Sequence, residues 1–464
     1  MSDLVAALRQ IVGEAHVLVD ASDVVPYITD WRGRYTGKPL CVARPNSTEE
    51  VSAILAACAA ANVSLVPQGG NTGLCGGATP IGGEVLLSLT RMNRILAVDA
   101  ENNSITVEAG CTLHAVQTAA AAHGRLFPLS LAAEGSATIG GNLSTNAGGV
   151  QVLRYGNTRD LTLGLEVVLA DGRVWRNLQA LRKDNTGYAL KHLFIGAEGT
   201  LGVITAATLK LFPLPSNRHV IWVCVASPAA AITLLASLRA AVGDVVTAFE
   251  IISKPALALV LKHIPATRAP LQGEHEWHAL IEVSEYGLAV GEKLQQCVAG
   301  AIASGDVGDA TLASSETQAQ MLWRLRESIS EAQRIEGVSI KHDISVSVSQ
   351  IPQFIAAAEV ALTEQFPDIR IVCFGHIGDG NLHYNLSKAD SVSNQQFVQQ
   401  SGAATRIVHD LVNSLGGSIS AEHGIGQLKR DELKIYKSEI ELEMMRTIKQ
   451  SLDPRGLMNP GKVL

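Results

Sequence analysis

Glycine-rich loops in the first half of the chain constrain its fold more than any other feature. Seven glycines fall within residues 69–83, in a segment that follows a predicted strand and begins Gln68-Gly-Gly-Asn-Thr-Gly73. Two further glycine-rich loops lie at residues 134–149 and 196–204. Such loops present backbone N–H groups to an anion and let a ligand come close to the chain. Tight turns would explain one such loop, whereas three in one region predict a cradle for a large cofactor.

Motifs that are absent from the sequence exclude several classes of ligand and partner. No intact G-x-G-x-x-G occurs in the 464 residues, which argues against a Rossmann nicotinamide site. The net charge is −7 and no basic run is present, so nucleic acid is not an expected partner. The seven cysteines include no CxxC pair, which favours a reducing, cytoplasmic location. No apolar stretch is long enough for a membrane span, and the N-terminus does not resemble a signal peptide.

Alternating strand-like and helix-like segments predict an α+β protein of more than one domain. We expect a first domain at 1–215, a second at 216–417 and a C-terminal segment at 418–464. A capping box at Ser47-Thr-Glu-Glu50 predicts a helix start. The other predicted elements are strands at 63–66 and 104–108, a hairpin at 167–175, a helix at 317–334, strands at 338–348, 369–376 and 382–386, and a helix at 433–452.

Two histidines and a carboxylate follow a pattern that suits a metal ion. A Gly378-Asp-Gly380 turn folds the chain so that His376 and His383 can face one point, and Glu422 follows later. This donor set suits Zn²⁺, and manganese or cobalt would fit it as well. The alternative is that both histidines are core residues bonded to backbone, and spacing alone gives the two readings equal weight.

A second group of residues suits a carboxylate ligand. Arg326 and Ser330 are four residues apart on the predicted helix, and an arginine fork can bind a carboxylate through two hydrogen bonds. Lys341, on the next predicted strand, supplies a second cation. The alternative for Arg326 alone, a solvated helix face, is favoured by the charges of the neighbouring Arg324 and Glu327.

Four motifs together resemble the FAD-dependent D-2-hydroxy acid dehydrogenases of the vanillyl-alcohol oxidase superfamily, over most of the chain from about Tyr35. In chain order they are Pro67-Gln-Gly-Gly-Asn-Thr-Gly73, Gly375-His-Ile-Gly-Asp-Gly-Asn-Leu-His383, Ala421-Glu-His-Gly-Ile-Gly426 and Asp453-Pro-Arg-Gly-Leu-Met-Asn-Pro-Gly-Lys462.

The resemblance implies a p-cresol-methylhydroxylase-type FAD-binding domain of two α+β subdomains, an α+β cap with an antiparallel sheet, and a helical C-terminal segment that returns to the flavin. His376, His383 and Glu422 would bind the metal and His423 would be the catalytic base. His423, Arg326, Ser330, Lys341 and Asn385 would bind the substrate. The residues expected to bind FAD are Pro67, Gly69, Gly70, Asn71, Thr72, Gly73, Gly135, Ser136, Thr138, Gly141, Asn142, Gly156, Glu198, Gly202, Ile204 and Asn459.

The resemblance also implies the reaction: oxidation of a D-2-hydroxy acid by hydride transfer to flavin. Lys341 favours a dicarboxylate, D-2-hydroxyglutarate first and D-malate second, because relatives that act on dicarboxylates carry a lysine there. D-Lactate or glycolate is the alternative, and a non-catalytic ligand-binding protein a remote one. We expect non-covalent FAD, although His114 and His123 could form a link. A quinone or an electron-transfer flavoprotein should accept the electrons, with oxygen open as an oxidant, and we expect a homodimer.

Overall fold

The computed structural model describes residues 2–287, 290–388 and 392–464. In chain order the strands are β1 (Val17–Leu18), β2 (Cys41–Ala43), β3 (Leu65–Gln68), β4 (Val85–Ser88), β5 (Ile95–Asp99), β6 (Ser104–Glu108), β7 (Arg125–Leu126), β8 (Thr162–Val168), β9 (Val174–Asn177), β10 (Val203–Lys210), β11 (Phe212–Pro213), β12 (Asn217–Val225), β13 (Val246–Ser253), β14 (Trp277–Glu285), β15 (Val307–Leu312), β16 (Ser339–Ile340), β17 (Asp343–Ser345), β18 (Arg370–Gly375) and β19 (Asn381–Ser387).

The helices, in the same order, are α1 (Ser2–Val12), α2 (Ala21–Ile28), α3 (Thr48–Ala61), α4 (Leu113–Ala122), α5 (Ile139–Thr145), α6 (Val152–Tyr155), α7 (Lys191–Phe194), α8 (Pro228–Val242), α9 (Lys254–His263), α10 (Gly291–Ser304), α11 (Glu316–Glu327), α12 (Ile329–Glu336), α13 (Ile351–Gln365), α14 (Asn394–Ser414), α15 (Arg430–Tyr436) and α16 (Glu439–Leu452). Short 3-10 turns span Glu14–His16 and Val348–Gln350.

Contacts divide the chain into two compact units. Unit 1 combines three stretches, Met1–Gly148, Gly156–Leu214 and Glu422–Leu464. Unit 2 consists of Gly149–Tyr155 and Pro215–Ala421. The first unit is therefore discontinuous in sequence, with most of the second inserted between its parts.

Unit 1 contains two main sheets. The first has the order β1-β2-β4-β3, in which β2, β4 and β3 are parallel and β1 is antiparallel to β2. The second is antiparallel with the order β5-β6-β10-β8-β9. The predicted hairpin at 167–175 is confirmed, because β8 and β9 pair around the turn at Asp171-Gly172. The strand predicted at 63–66 starts two residues later, as β3.

The predicted helix start at Ser47 is confirmed, with one difference in its hydrogen bonds. Ser47 Oγ accepts from the Glu50 N–H at 3.2 Å, as an N-cap should. The Glu50 carboxylate, however, accepts from the Asn46 N–H at 2.7 Å rather than from Ser47. The cap thus satisfies two backbone N–H groups, those of Glu50 and Asn46, whereas a capping box would satisfy those of Glu50 and Ser47.

Unit 2 is built on an antiparallel sheet with the order β15-β12-β14-β13-β18-β19-β16, and β17 also pairs with β19. One face of this sheet packs against α9, α11 and α12. Its core is formed by large side chains that include Trp222, Leu280, Trp323 and Phe374. The sheet gives strands β13, β18 and β19 fixed neighbouring positions. Of the predicted ligands in this unit, His383 and Asn385 lie on β19 and His376 directly follows β18.

Three predicted elements are divided or shortened in the structure. The helix expected at 317–334 is divided at Ser328 into α11 and α12. The strand expected at 338–348 is reduced to β16 and β17, because Asn385 Oδ1 accepts from the His342 N–H and takes a backbone partner's place. The helix expected at 433–452 is divided where Ser438 and Glu441 form a capping box for α16. Serine competes for backbone hydrogen bonds, which explains the break at Ser438, whereas the Ser328 side chain makes no capping hydrogen bond.

No helix in the described residues combines the length and the apolar character needed to cross a bilayer. The seven cysteines are all free, and six of them are buried.

Candidate functional site

A glycine-lined cavity lies in unit 1, where β3, the loop after it and helix α5 meet. It encloses about 860 Å³, including its open mouth. Twelve of the residues predicted to bind FAD line it: Pro67, Gly69, Gly70, Asn71, Thr72, Gly73, Thr138, Gly141, Asn142, Glu198, Gly202 and Ile204. His423 lines it as well. The structure therefore brings most of the three loops and the predicted base together around one space.

Close backbone packing explains why the first loop needs glycine. A Cβ on Gly70 would lie 1.9 Å from the Ser136 carbonyl oxygen, and one on Gly69 would lie 2.1 Å from Thr138 Oγ1. Asn71 has a left-handed backbone with φ of 52°, a conformation that asparagine tolerates better than most residues. The loop after β3 is therefore pressed against the second glycine-rich loop, which leaves its opposite side to face the cavity.

One buried hydrogen-bond donor in the cavity lining has no partner among the described residues. Asn142 is 5% exposed and lines the cavity, and its Nδ2 has no hydrogen-bond partner in the part of the chain that the structure describes. A buried amide donor without a partner costs free energy, so such a group is expected to bind a ligand or water. A flavin, which carries carbonyl oxygens and ring nitrogens, fits this donor and the backbone cradle.

Substitution of Gly70 by Ala is expected to weaken FAD binding, because the new Cβ would force the loop away from Ser136. Overpacking of this kind costs about 1–3 kcal/mol. Flavin content after purification and the dissociation constant of FAD measure the effect. Gly82→Ala is the matched control in the same segment, since its Cβ would meet nothing within 4 Å and Gly82 does not line the cavity. FAD binding by the Gly70 variant equal to that of the control would contradict the cradle.

Four residues predicted to bind FAD do not line the cavity. Gly135 and Ser136 are exposed on the second loop, and Ser136 reaches the cradle only through its carbonyl, behind Gly70. Gly156 has φ of 77° and packs against Asp160, so its role there is conformational. Asn459 Nδ2 donates to the carbonyls of Gly77 and Glu198, which places Asn459 behind the cavity wall.

Glu198 connects the cavity to the segment that carries His423. Its carboxylate accepts from the N–H groups of Ile425 at 2.7 Å and Gly426 at 2.8 Å. Burial raises the pKa of Glu198, although these two N–H groups and Lys429 oppose the rise. Sequence reasoning placed Glu198 among the cofactor ligands, and the structure adds that it fixes the backbone two residues after His423.

The two predicted metal ligands of unit 2 lie on a hairpin, as the spacing indicated. His376 follows the end of β18 and His383 lies on β19, with their ring centroids 6.0 Å apart. His376 Nδ1 lies 2.5 Å from Glu250 Oε1 on β13. His383 Nδ1 lies 3.8 Å from Asp343 Oδ1, a carboxylate only 1% exposed. His376 thus bonds to a buried carboxylate through Nδ1. A histidine bonded in this way can use its Nε2 to bind a metal ion.

Arg326 is buried rather than solvated, so the alternative of a solvated helix face is wrong. Its Nε lies 2.7 Å from Glu250 Oε2, and its Cζ lies 4.9 Å from the centre of the Phe374 ring. Burial alone would raise the pKa of Glu250, but the charges of His376 and Arg326 outweigh it and lower the pKa to about 2. One buried carboxylate is therefore bonded to both Arg326 and His376.

The remaining predicted substrate ligands occupy different environments. Asn385 is buried, donates to Gln333 Oε1 at 2.8 Å and accepts from the His342 N–H at 3.1 Å. Lys341 is half-buried between β16 and β17. Ser330 is exposed on α12, whereas Arg326 on α11 is buried.

Sequence reasoning missed Glu250 and Asp343. Glu250 is the single charge in the apolar run of β13, and a charge in a buried strand must be paired. That rule could have identified it as part of a site. Asp343 gave no such signal, because it sits in a polar stretch beside Lys341 and His342.

Comparison with known proteins covers nearly the whole chain. Residues 214–463 match the family described as FAD linked oxidases, C-terminal domain, and residues 39–177 match the FAD binding domain family. The D-2-hydroxyglutarate dehydrogenase of Xanthomonas citri pv. viticola is 40% identical, over 99% of this chain and 96% of that protein. The mitochondrial D-2-hydroxyglutarate dehydrogenase of Bos taurus is also 40% identical, over 100% of this chain and 83% of that protein.

Solved structures of low sequence identity share the fold. A p-cresol methylhydroxylase with bound substrate superposes with a TM-score of 0.78 at 18% identity, over 100% of this chain and 96% of that chain. An alkyldihydroxyacetonephosphate synthase gives a TM-score of 0.77 at 18% identity, over 99% of this chain and 84% of that chain. The predicted p-cresol-methylhydroxylase-type α+β fold is confirmed.

Proposed function

Because this chain belongs to the D-2-hydroxyglutarate dehydrogenase family of FAD-dependent enzymes that oxidise D-2-hydroxy acids, we propose that it converts D-2-hydroxyglutarate to 2-oxoglutarate. The observation that carries the proposal is the position of His423 on the wall of the FAD cavity. There the imidazole can take a proton from a hydroxyl group whose carbon faces the flavin. D-Malate is the second substrate that this site would suit.

FAD would be held without a covalent bond by the backbone of the loop after β3 and by the side chains of Thr138 and Asn142. Bound FAD accepts the hydride released from C2 of the substrate. His114 and His123, the two histidines considered for a covalent link, are exposed and lie outside the cavity lining. Acid precipitation should therefore release the yellow colour into the supernatant.

His423 would act as the general base for the 2-hydroxyl group. Glu198 holds the backbone after it through Ile425 and Gly426, which limits the positions that the imidazole can take. Such positioning matters because proton transfer requires a hydrogen bond of ordinary length to the substrate oxygen.

His376, His383 and Glu422 would hold a divalent cation, with Zn²⁺ as the first choice and Mn²⁺ or Co²⁺ as substitutes. Within unit 2, the Ala421 N–H donates to the Asp343 carbonyl at 3.3 Å, and Glu422 is the next residue in the chain. The donor set of two imidazoles and a carboxylate fits such an ion. A bound cation polarises the hydroxyl and C1 carboxylate oxygens of the substrate.

The far carboxylate of the substrate would bind to Arg326 and Lys341. The Nε of Arg326 is used by Glu250, which leaves its terminal Nη groups for a bidentate contact. Asn385 and Ser330 would add neutral hydrogen bonds. Two cationic side chains would suit the far carboxylate of a dicarboxylate, a group that a monocarboxylate lacks.

The electron acceptor we propose is a quinone or an electron-transfer flavoprotein. Oxygen would reoxidise the flavin more slowly. A homodimer and a cytoplasmic location stay predictions of the sequence, and some relatives at this level of identity are mitochondrial.

Anaerobic reduction of the bound flavin tests the proposed function. D-2-Hydroxyglutarate and D-malate should bleach the flavin absorption rapidly, and D-lactate and glycolate slowly. Pretreatment with EDTA should abolish bleaching, and added Zn²⁺ should restore it. Faster bleaching by D-lactate or glycolate would refute the substrate assignment, and bleaching by a protein shown to be free of metal would refute the role of the cation.

A further inference from the structure

We propose that Glu250 is a positioning residue that holds the substrate-binding arginine and a metal-binding histidine through the two oxygens of one carboxylate. This inference rests on the proposed roles of Arg326 and His376. It assigns a function to a residue that does not itself touch the substrate or the cation.

The contacts of Glu250 use both of its oxygens. Oε1 lies 2.5 Å from His376 Nδ1 and Oε2 lies 2.7 Å from Arg326 Nε. The side chain of Glu250 is 1% exposed, and those of its two partners are each 9% exposed. Water is therefore largely excluded from these hydrogen bonds, and a carboxylate that accepts from a guanidinium and an imidazole N–H forms strong, directional ones.

The hydrogen bond to His376 selects which ring nitrogen faces the cation. A histidine that donates its Nδ1 proton to a carboxylate presents Nε2 as the ligand atom and becomes a better electron donor. The hydrogen bond from Arg326 Nε to the second oxygen of Glu250 orients the guanidinium in a similar way. It fixes the Nε edge of the guanidinium and leaves the terminal Nη groups for the far carboxylate of the proposed substrate.

The sheet sets the distance between Glu250 and His376. Ile251 and Ile252 on β13 pair with Gly375 and Phe374 on β18, so His376 must emerge beside Glu250. The Gly378 N–H also donates to the Phe249 carbonyl at 3.3 Å, which holds the turn against β13. A rigid ladder thus connects the carboxylate to the histidine hairpin.

A second buried glutamate on the same sheet face bonds to none of the proposed ligands and can be compared with Glu250. Glu282 on β14 is 2% exposed and accepts from Trp323 Nε1 at 2.9 Å and Arg218 Nη1 at 3.2 Å. Both glutamates are bonded to one arginine, and both have a partner on α11: Arg326 for Glu250 and Trp323 for Glu282. No histidine is among these partners, so Glu282 provides a matched control.

The test compares Glu250→Gln with Glu282→Gln in the flavin-loaded protein. After removal of metal with EDTA, the dissociation constant of Zn²⁺ is measured by calorimetry. Loss of a carboxylate behind a metal-binding histidine typically weakens metal affinity about 10- to 100-fold. We expect that loss for Glu250→Gln and none for Glu282→Gln.

A second readout concerns substrate choice at saturating Zn²⁺. Glu250→Gln should raise the KM for D-2-hydroxyglutarate more than the KM for D-lactate, because only the former uses Arg326. If Glu250→Gln does not fold, Glu250→Asp keeps the charge but withdraws it by one methylene. Its expected effects are the same in kind and smaller.

Equal Zn²⁺ affinity and an unchanged KM ratio in a folded Glu250 variant would overturn the inference, as would equal losses in the Glu282 control. Failure of the proposed function is a different result. It would show in the wild-type protein, as flavin reduction that needs no metal or as no preference for dicarboxylates.

Discussion

Flavin reduction by D-2-hydroxyglutarate is expected to slow by about 10²–10⁴-fold when His423 is replaced by Asn, which is the usual contribution of a positioned general base. His423 lines the FAD cavity, and Asn is close to it in size but cannot take the hydroxyl proton. The rate constant of anaerobic flavin reduction, measured by stopped flow at saturating substrate and Zn²⁺, isolates this step from reoxidation.

FAD content and Zn²⁺ affinity should be measured on the same sample, so that loss of a ligand is not mistaken for loss of the base. His114→Asn is the control, because His114 is exposed on α4 in the same unit and does not line the cavity. A His423 variant that holds FAD and metal and still reduces its flavin at the wild-type rate would rule out the assignment.

The second large effect is expected for Arg326→Met. Removing one partner of a buried ion pair leaves an uncompensated charge and typically costs about 3–5 kcal/mol of unfolding free energy. Glu250 would then keep only His376. We expect a lower urea midpoint of unfolding, measured by circular dichroism. We also expect a higher KM for dicarboxylates at temperatures where the variant is folded.

Arg218→Met tests whether the position of the arginine matters. Arg218 pairs with the buried Glu282, but its side chain is 33% exposed, so water can compensate part of the loss. Its urea midpoint should fall less, and its KM for D-2-hydroxyglutarate should not change. A midpoint for Arg326→Met equal to that of the wild type would show that the Glu250 pair contributes no stability.

Local patterns predicted the parts of the site that depend on a few neighbouring residues. The loop that begins at Gln68 needs glycine where its backbone touches another loop, and that need is visible in the sequence. The hairpin that carries His376 and His383 follows from two strands and one glycine-flanked turn. Serine at position 47 determines a helix start within one turn.

Relations across the sheet could not be read from the sequence. Glu250 lies 76 residues before Arg326 and 126 before His376. The pairing of β13 with β18 brings His376 beside it, and the packing of α11 on the sheet brings Arg326 there. The break at Ser438 depends on a capping box that replaces the hydrogen bonds of a continuous helix. In Asn385, an amide bonds to the His342 backbone, which no periodicity in hydrophobic residues reveals.

The C-terminal part of unit 1 has a consequence for how the protein is made. The Leu65 N–H donates to the Leu457 carbonyl, and the Asn459 N–H donates to the Leu65 carbonyl, so the strand that leads into the cradle is completed from far downstream. A ribosome must therefore release all of unit 2 before the cradle can close. Capture of FAD is then a late event in biosynthesis, and the partly assembled cradle is the intermediate on which chaperones and proteases would act.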